Sequence, residues 1–375
     1  MKKLLGLLGT MTIAGSGMTG IVGNVSAPTK NEIKKEYIIT KILGINQRIS
    51  SMAIDSQSNV YYGTESGLVY KLKNNEVIVS TITGIENNSR IESITIDNND
   101  NVYFATSTGG YKLKNNEITA IKILGIKDYV WLSLIDSQNI VYFVSNNDGI
   151  YKLINNNSNA EKIPNIIGKV LTFIIDKNDN KFYWIENKGI FLLKNGEDKP
   201  IKICGIKGSW GFLTFVDNNN NVYINTKKEN GHSLYVIKNN ENWGTKIKNI
   251  NTGRSPSIAV DNNNNVYIGT NNHGAFLLSN TELVKEKPKA KKINELETNS
   301  MINSIAVDSN NNIYFGIHRI GLYIIKNNTK IARKINEINS SVFIIKISNQ
   351  NNKVYVSEAD YKSTMDVEYL INIIN

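Results

Sequence analysis

Short apolar runs alternate along this chain with breaks rich in Asn, Asp and Gly. The stretch Ser257-Ile-Ala-Val-Asp-Asn-Asn-Asn-Asn-Val-Tyr-Ile-Gly-Thr270 shows the unit: a β-strand, a polar turn and a second β-strand. Val, Ile, Tyr and Phe fill the runs, as half-buried pleated surfaces favour. Asn and Asp suit the breaks because they tolerate left-handed backbone angles and hydrogen-bond their own turn. The Asp ending the first strand recurs as Asp55, Asp97, Asp136, Asp176, Asp217, Asp261 and Asp308, with Asn349 in the equivalent place. A spacing of about forty residues is that of four-stranded propeller blades.

Each unit predicts four strands, A to D. In the second unit these are Ile91–Ile96, Asn101–Thr106, Gly110–Lys114 and Glu117–Ile126. A Gly marks the entry to strand C, and strand B carries an aromatic expected to pack between blades: Tyr61, Tyr103, Tyr142, Tyr183, Tyr223, Tyr267, Tyr314 and Tyr355. Strand D supplies an independent count through Lys-Ile-x-x-Ile and its variants, from Lys41–Ile45 and Thr81–Ile85 to Lys334–Ile338. Both counts give eight. The first D strand precedes any A strand, and the last unit ends with strand C, so the N-terminal strand is expected to complete the final blade. The predicted fold is all-β, an eight-bladed β-propeller of four-stranded antiparallel blades; the alternative of seven blades leaves one unit unplaced.

The pattern Asp-x-x-x-Asn-Val-Tyr-Ile-Gly-Thr-x-x-x-Gly, clearest at Asp261–Gly274, resembles the two-component-regulator-type propeller repeat and, more distantly, the NHL repeat. The resemblance covers Tyr37 to Asn375 and implies a scaffold, without naming a ligand. The usual Trp of that repeat is Tyr here. In the regulators such a propeller precedes a membrane span and a signalling domain; neither is read here, so a sensor-kinase role does not carry over. Similarity to streptogramin-lyase-type propellers stops at the scaffold, because no His and Glu are recognisably placed as a base pair.

Met1-Lys2-Lys3, the apolar run Leu4 to Val25 and the small residues of Val25-Ser26-Ala27 read as a secretory signal over 1–27. Residues 28–36 read as a linker and 37–375 as the propeller. Pro28 disfavours cleavage and the run is long enough to stay as an anchor, so membrane attachment through an uncleaved segment is the alternative. Secretion, or display on the outer membrane face, is the expected location. With its Asn, Ile and Lys usage the chain also looks like surface proteins of wall-less bacteria.

The formal charge of +10 admits acidic partners: glycan, protein or acidic lipid. The positives are scattered singly, which argues against nucleic acid, and Asn, Ile and Lys share AT-rich codons, which accounts for part of the Lys excess. Cys204 is the single cysteine, so neither an intrachain disulfide nor a Cys-based zinc site is available. His232, His273 and His318 fall in B–C loops of three different blades, too far apart by this reading to share a metal. No cofactor motif is present.

Function is sought where the repeat stops repeating. Seven residues before each marker stand Arg48, Arg90, Tyr129, Lys169, Trp210, Arg254, Met301 and Val342. Basic and aromatic groups there would ring the channel mouth, with Trp131 beside Tyr129, and His318-Arg319 at the rim. Arg forks and aromatic faces suit carboxylates, sulfates and sugars. The expected function is non-enzymatic binding of an anionic, glycan or protein ligand, with attachment at a host or cell surface as the expected setting. A lyase or hydrolase using the same mouth is the alternative.

Overall fold

A computed structural model of the protein describes residues 37–373, except 127–128, 155–157, 165, 167, 209, 229–230, 255, 297–298, 328, 330, 349 and 360–365. The expected signal and linker lie outside the described residues. Eight four-stranded antiparallel sheets succeed one another. Blade 1 consists of Ile49–Ile54, Val60–Thr64, Val69–Leu72 and Ser80–Ile82, in chain order from the innermost strand A to the outermost strand D. The eighth blade joins Ser341–Ile347, Val354–Ala359 and Asp366–Ile373 to Tyr37–Lys41. Tyr37 pairs with Ile373 and Lys41 with Tyr369, so the N-terminal strand closes the last blade as expected. The innermost strands touch in sequence and return from Ser341–Ile347 to Ile49–Ile54, which closes the ring around an axial channel. No helix among the described residues is long and apolar enough to cross a membrane.

Apolar burial is divided among the seams between blades. Tyr103, Val130, Phe143 and Tyr151 share one cluster, and Tyr314, Ile324, Val342 and Val356 share another. The strand-B aromatics pack in these seams, as expected. The Gly of strand B is a seam residue too. A Cβ on Gly63 would stand 2.4 Å from Ile91 of the next blade, and one on Gly316 would stand 2.6 Å from Val342. Outermost strands carry exposed lysines, among them Lys122, Lys162, Lys202 and Lys292, where charge discourages edge-to-edge pairing.

The A–B turns are held by their own side chains. Asp97 Oδ1 accepts the N–H groups of Asn99 and Asn101 at 2.9 and 2.8 Å. Its Oδ2 accepts Asn101 Nδ2 at 2.8 Å and the Tyr103 hydroxyl at 2.9 Å. Asn101 Oδ1 in turn accepts the N–H of Asn115 in the C–D turn at 3.1 Å. A second set runs between blades. The N–H groups of Ser56, Asn98, Ser137, Lys177 and Asn262 donate to the side chains of Asp100, Asn139, Asp179, Asn220 and Asn311 in the following turn. All five acceptors are left-handed, with φ of 59 to 68°. The Asx chemistry that shapes each turn thus also ties it to its neighbour.

Three expectations change in detail. In blade 8 the marker is Ser348, whose N–H donates to Lys353 O at 2.9 Å, while Asn352 takes the left-handed place at φ 54°. That turn is one residue longer, Asn349 lies outside the described residues, and the count of seven lands on Val342, which is fully buried in the seam. In blade 4 the strand-B residue in register is Phe182, because Ile174 pairs with Phe182 as Leu134 pairs with Tyr142. Tyr183 stacks instead on Phe191, with centroids 5.8 Å apart. Strand D of blade 2 is only Ile121–Lys122, because the chain then leaves for the next blade. There Leu124 N–H donates to Ser158 O and Ala160 N–H to Leu124 O, both at 2.8 Å.

Candidate functional site

Six A strands carry a β-bulge near the end opposite the A–B turns, at Ser50, Glu92, Trp131, Leu171, Asn303 and Phe343. A bulge re-aims its extra side chain, here at the channel mouth. Arg48, Arg90, Tyr129, Lys169 and Met301 stand two residues earlier. Their carbonyls accept the N–H groups of Glu65, Ser107, Asn146, Glu186 and His318 at 2.9 to 3.1 Å, which fixes all five at one height. In blade 6 the equivalent acceptor is Thr252, so Arg254 lies beyond that height. Its carbonyl and that of Gly253 accept from Asn225 Nδ2 at 3.0 and 2.9 Å. The backbone of Trp210 begins strand A of blade 5; its side chain lies outside the described set.

The structure brings Arg48 and Arg90 together around an acid that sequence reading missed. Glu65 stands 4.0 Å from Arg48 and 3.7 Å from Arg90, and Arg90 also reaches Glu92 at 3.4 Å. Tyr129 continues the arc with a hydrogen bond to Glu92. Burial first, then that carboxylate, raises its phenol to about 12. Lys169 is matched in the same way by Glu186 at 3.8 Å. This part of the mouth is therefore an alternating arc of paired charges, where a ring of basic and aromatic groups was expected without acids between them. Both guanidiniums are about half exposed, at 48% and 49%. Exposed pairs of this kind contribute about 0–1 kcal/mol, so either guanidinium turns to an incoming carboxylate at little cost.

Arg48, Ser50, Glu65, Arg90, Phe343 and Ala359 line a hollow of about 370 Å³ at this arc. Phe343 gives it an apolar wall and meets His318 edge-on, with centroids 6.4 Å apart. Arg319 N–H donates to Ser341 Oγ at 2.8 Å, and His318 Nδ1 lies 3.4 Å from the same oxygen. Burial and the neighbouring Arg319 hold His318 below its ordinary value, so it is neutral at pH 7. Ser341 is only 1% exposed, so this contact fastens the loop and does not present a nucleophile. Trp131 is half-buried and packs against the seam core that holds Tyr142 and Phe173.

The other expected residues do not join this hollow. Arg254 sits near His232 and Lys227, and burial together with these two cations lowers the His232 pKa. Cys204 is an exposed free thiol. No group of three or more His, Cys, Asp or Glu among the described residues is placed to hold a metal ion. A larger cavity, about 540 Å³, opens at the turn end between blades 4 and 5. Turn residues such as Asn178, Asn180 and Asn220 wall it, and these already serve the turn network. Glu65 and Glu186 directly follow strand B, and Glu92 and Phe343 occupy the bulge place, so counting those two places as well would have exposed them.

Closed four-stranded blades with a non-repeating mouth define the class: an eight-bladed β-propeller with a candidate binding face at one end. No protein-family profile and no curated protein sequence matches the chain. Solved structures are similar in shape at low identity. The extracellular domain of the putative hybrid two-component system BT4673 from B. thetaiotaomicron is 15% identical, covering 87% of this chain and 52% of that one, with a TM-score of 0.53. YCF48 bound to D1 peptide is 7% identical, with 91% and 97% coverage and a TM-score of 0.56. A catalytically inactive virginiamycin B lyase from Staphylococcus aureus with quinupristin is 11% identical, with 90% and 100% coverage and a TM-score of 0.54. At such identities the likeness shows the fold.

Proposed function

We propose that the chain is an exported, non-enzymatic propeller that binds a carboxylate-bearing protein or glycan in the mouth hollow between blades 8, 1 and 2. One observation carries the reading: two half-exposed arginines share a single glutamate beside an exposed Phe343. An incoming carboxylate takes a guanidinium from Glu65 and gains a bidentate partner, while an adjacent apolar group rests on Phe343. Support comes from the similarity to a propeller that holds a peptide and to one that is an extracellular domain. Export rests on the character of the first residues, and attachment to a host or cell surface is the setting this implies.

The test is binding of the purified protein to arrays of acidic peptides and carboxylated glycans. Paired substitution Arg48→Glu and Arg90→Glu is expected to abolish retention, and Arg254→Glu to leave it. Full retention by the double variant with its fold intact would sink the proposal.

A further inference from the structure

The outermost strands share one place by register, the residue paired with the aromatic of strand C. Lys41, Lys122, Lys162, Lys202, Lys246, Lys292 and Lys334 hold it, opposite Tyr369, Tyr111, Tyr151, Phe191, Tyr235, Phe276 and Tyr323. In blade 1 it is Thr81, opposite Tyr70. A neighbouring acid has gone with the lysine. Glu86 pairs with Lys122 at 2.6 Å, whereas the corresponding residue one blade earlier is Asn46, which accepts the Tyr70 hydroxyl at 2.7 Å. Ser80–Ile82 is thus an uncharged outer strand, last in its sheet.

The surface around it is apolar. Leu43 of blade 8 bridges to Ile78 just ahead of the strand, and both are exposed, Ile78 to 60%. At the other end Thr83 N–H donates to Ile118 O of blade 2 at 2.8 Å. Ile118 is 68% exposed, and Ile121 beside it is exposed as well. From Asn74 to Thr83 the one charged residue is Glu76, in a chain of formal charge +10. Elsewhere the same belt is basic: between blades 5 and 6, Lys248 bridges to Lys289 at the place that Leu43 and Ile78 occupy here.

An exposed apolar patch marks a contact surface, and the charges around the belt indicate with what. A two-fold axis at Thr81 lays the start of one copy's strand against the end of the other's. Leu43 and Ile78 then meet Ile118 and Ile121, apolar on both sides, and Thr81 meets Thr81. The same axis at any other blade sets lysine against lysine, a repulsive contact. A bilayer is served less well, because the lysines that would draw it, such as Lys248 and Lys289, lie well around the ring from this patch. We propose that the protein forms a weak, reversible two-fold dimer through the outer edge of blade 1 and the flanking rims of blades 8 and 2.

Sedimentation velocity of the purified protein over a concentration series tests this. The native chain should pass from monomer to dimer with a Kd of about 10–100 μM. Thr81→Lys, which restores the residue of the other seven blades, should weaken the dimer by about tenfold or more and leave melting unchanged. Ile78→Ser should weaken it by about fivefold, which decides the matter even where Thr81→Lys fails to fold. Ile331→Ser, at an equally exposed isoleucine outside the patch, should leave it unchanged, and so should Arg48→Glu with Arg90→Glu at the mouth. A monomer throughout, a dimer indifferent to both Thr81→Lys and Ile78→Ser, or an equal loss with Ile331→Ser would overturn the proposal. So would a monomer that instead floats with vesicles of neutral or anionic lipid, which would give the patch to a membrane.

Discussion

At one end of the channel the A–B turns repeat a single solution; at the other end the same strands finish in a different side chain in nearly every blade. The contrast is physical as well as sequential. Asp97 is buried and accepts four donors at 2.8 to 2.9 Å, whereas Glu65 is half exposed and meets its arginines at 3.7 and 4.0 Å. Hydrogen bonds to a buried carboxylate are among the stronger contributors to stability, and loose surface pairs are among the weakest. Holding the ring at the turn end and in the seams leaves the mouth free to vary without endangering the fold.

Breaking the ring itself should have the largest effect. Deleting Tyr37–Lys41 leaves Asp366–Ile373 as an open edge and takes Tyr37 and Ile39 off the last seam core. Light scattering after size exclusion is expected to show self-associated species. A stable monomer with native unfolding behaviour would mean that closure does not hold the ring. Next comes Asp97→Ala, which strands buried turn donors and is expected to cost about 3 kcal/mol in urea denaturation.

Blade 4 sharpens the comparison by already lacking one bond. Tyr103→Phe should cost about 1–2 kcal/mol, while Phe182→Tyr at the corresponding place should stabilise by about 1 kcal/mol or less. Equal signs for the two would show that the hydroxyl-to-Asp bond is not what the aromatic contributes. At the mouth, Arg90→Ala should change stability by less than about 0.5 kcal/mol while weakening ligand retention. The smallest effect concerns pH. His232 and His318 have folded pKa values below 6.5, so the unfolded chain binds more protons once the pH falls through that value. Stability should decline below about pH 6.5, and His232→Asn with His318→Asn should flatten that decline in pH-dependent melting.

Blade number, strand order and closure were legible because they rest on periodicity, which survives substitution within each unit. Errors arose where a fixed offset met a local insertion. The longer turn after Ser348 shifted Val342 into the seam, and two extra residues carried Arg254 away from the height of Arg48. Tyr183 shares its chemical type with the strand-B aromatics of the other blades, but the register gives their place to Phe182. At the candidate site the cations were visible and their partners were not. Glu65 is 17 residues along the chain from Arg48, and Arg90 reaches it from another blade. Only the ring brings these groups to one place.

The pairing of Tyr37 with Ile373 also governs the order of assembly. The propeller's first strand in chain order must wait for its last, Asp366–Ile373, before it finds its partner. Seven blades can form as local meanders while the chain is still growing, since each closes contacts within its own unit. The eighth cannot, and until it does the circle stays open at one gap. Completion is thus a late, long-range step, expected to be slower than blade formation. A chain stopped short of Asp366 would leave Val354–Ala359 as an open edge, free to take the Asp366–Ile373 strand of a complete copy, and so to enter chain exchange.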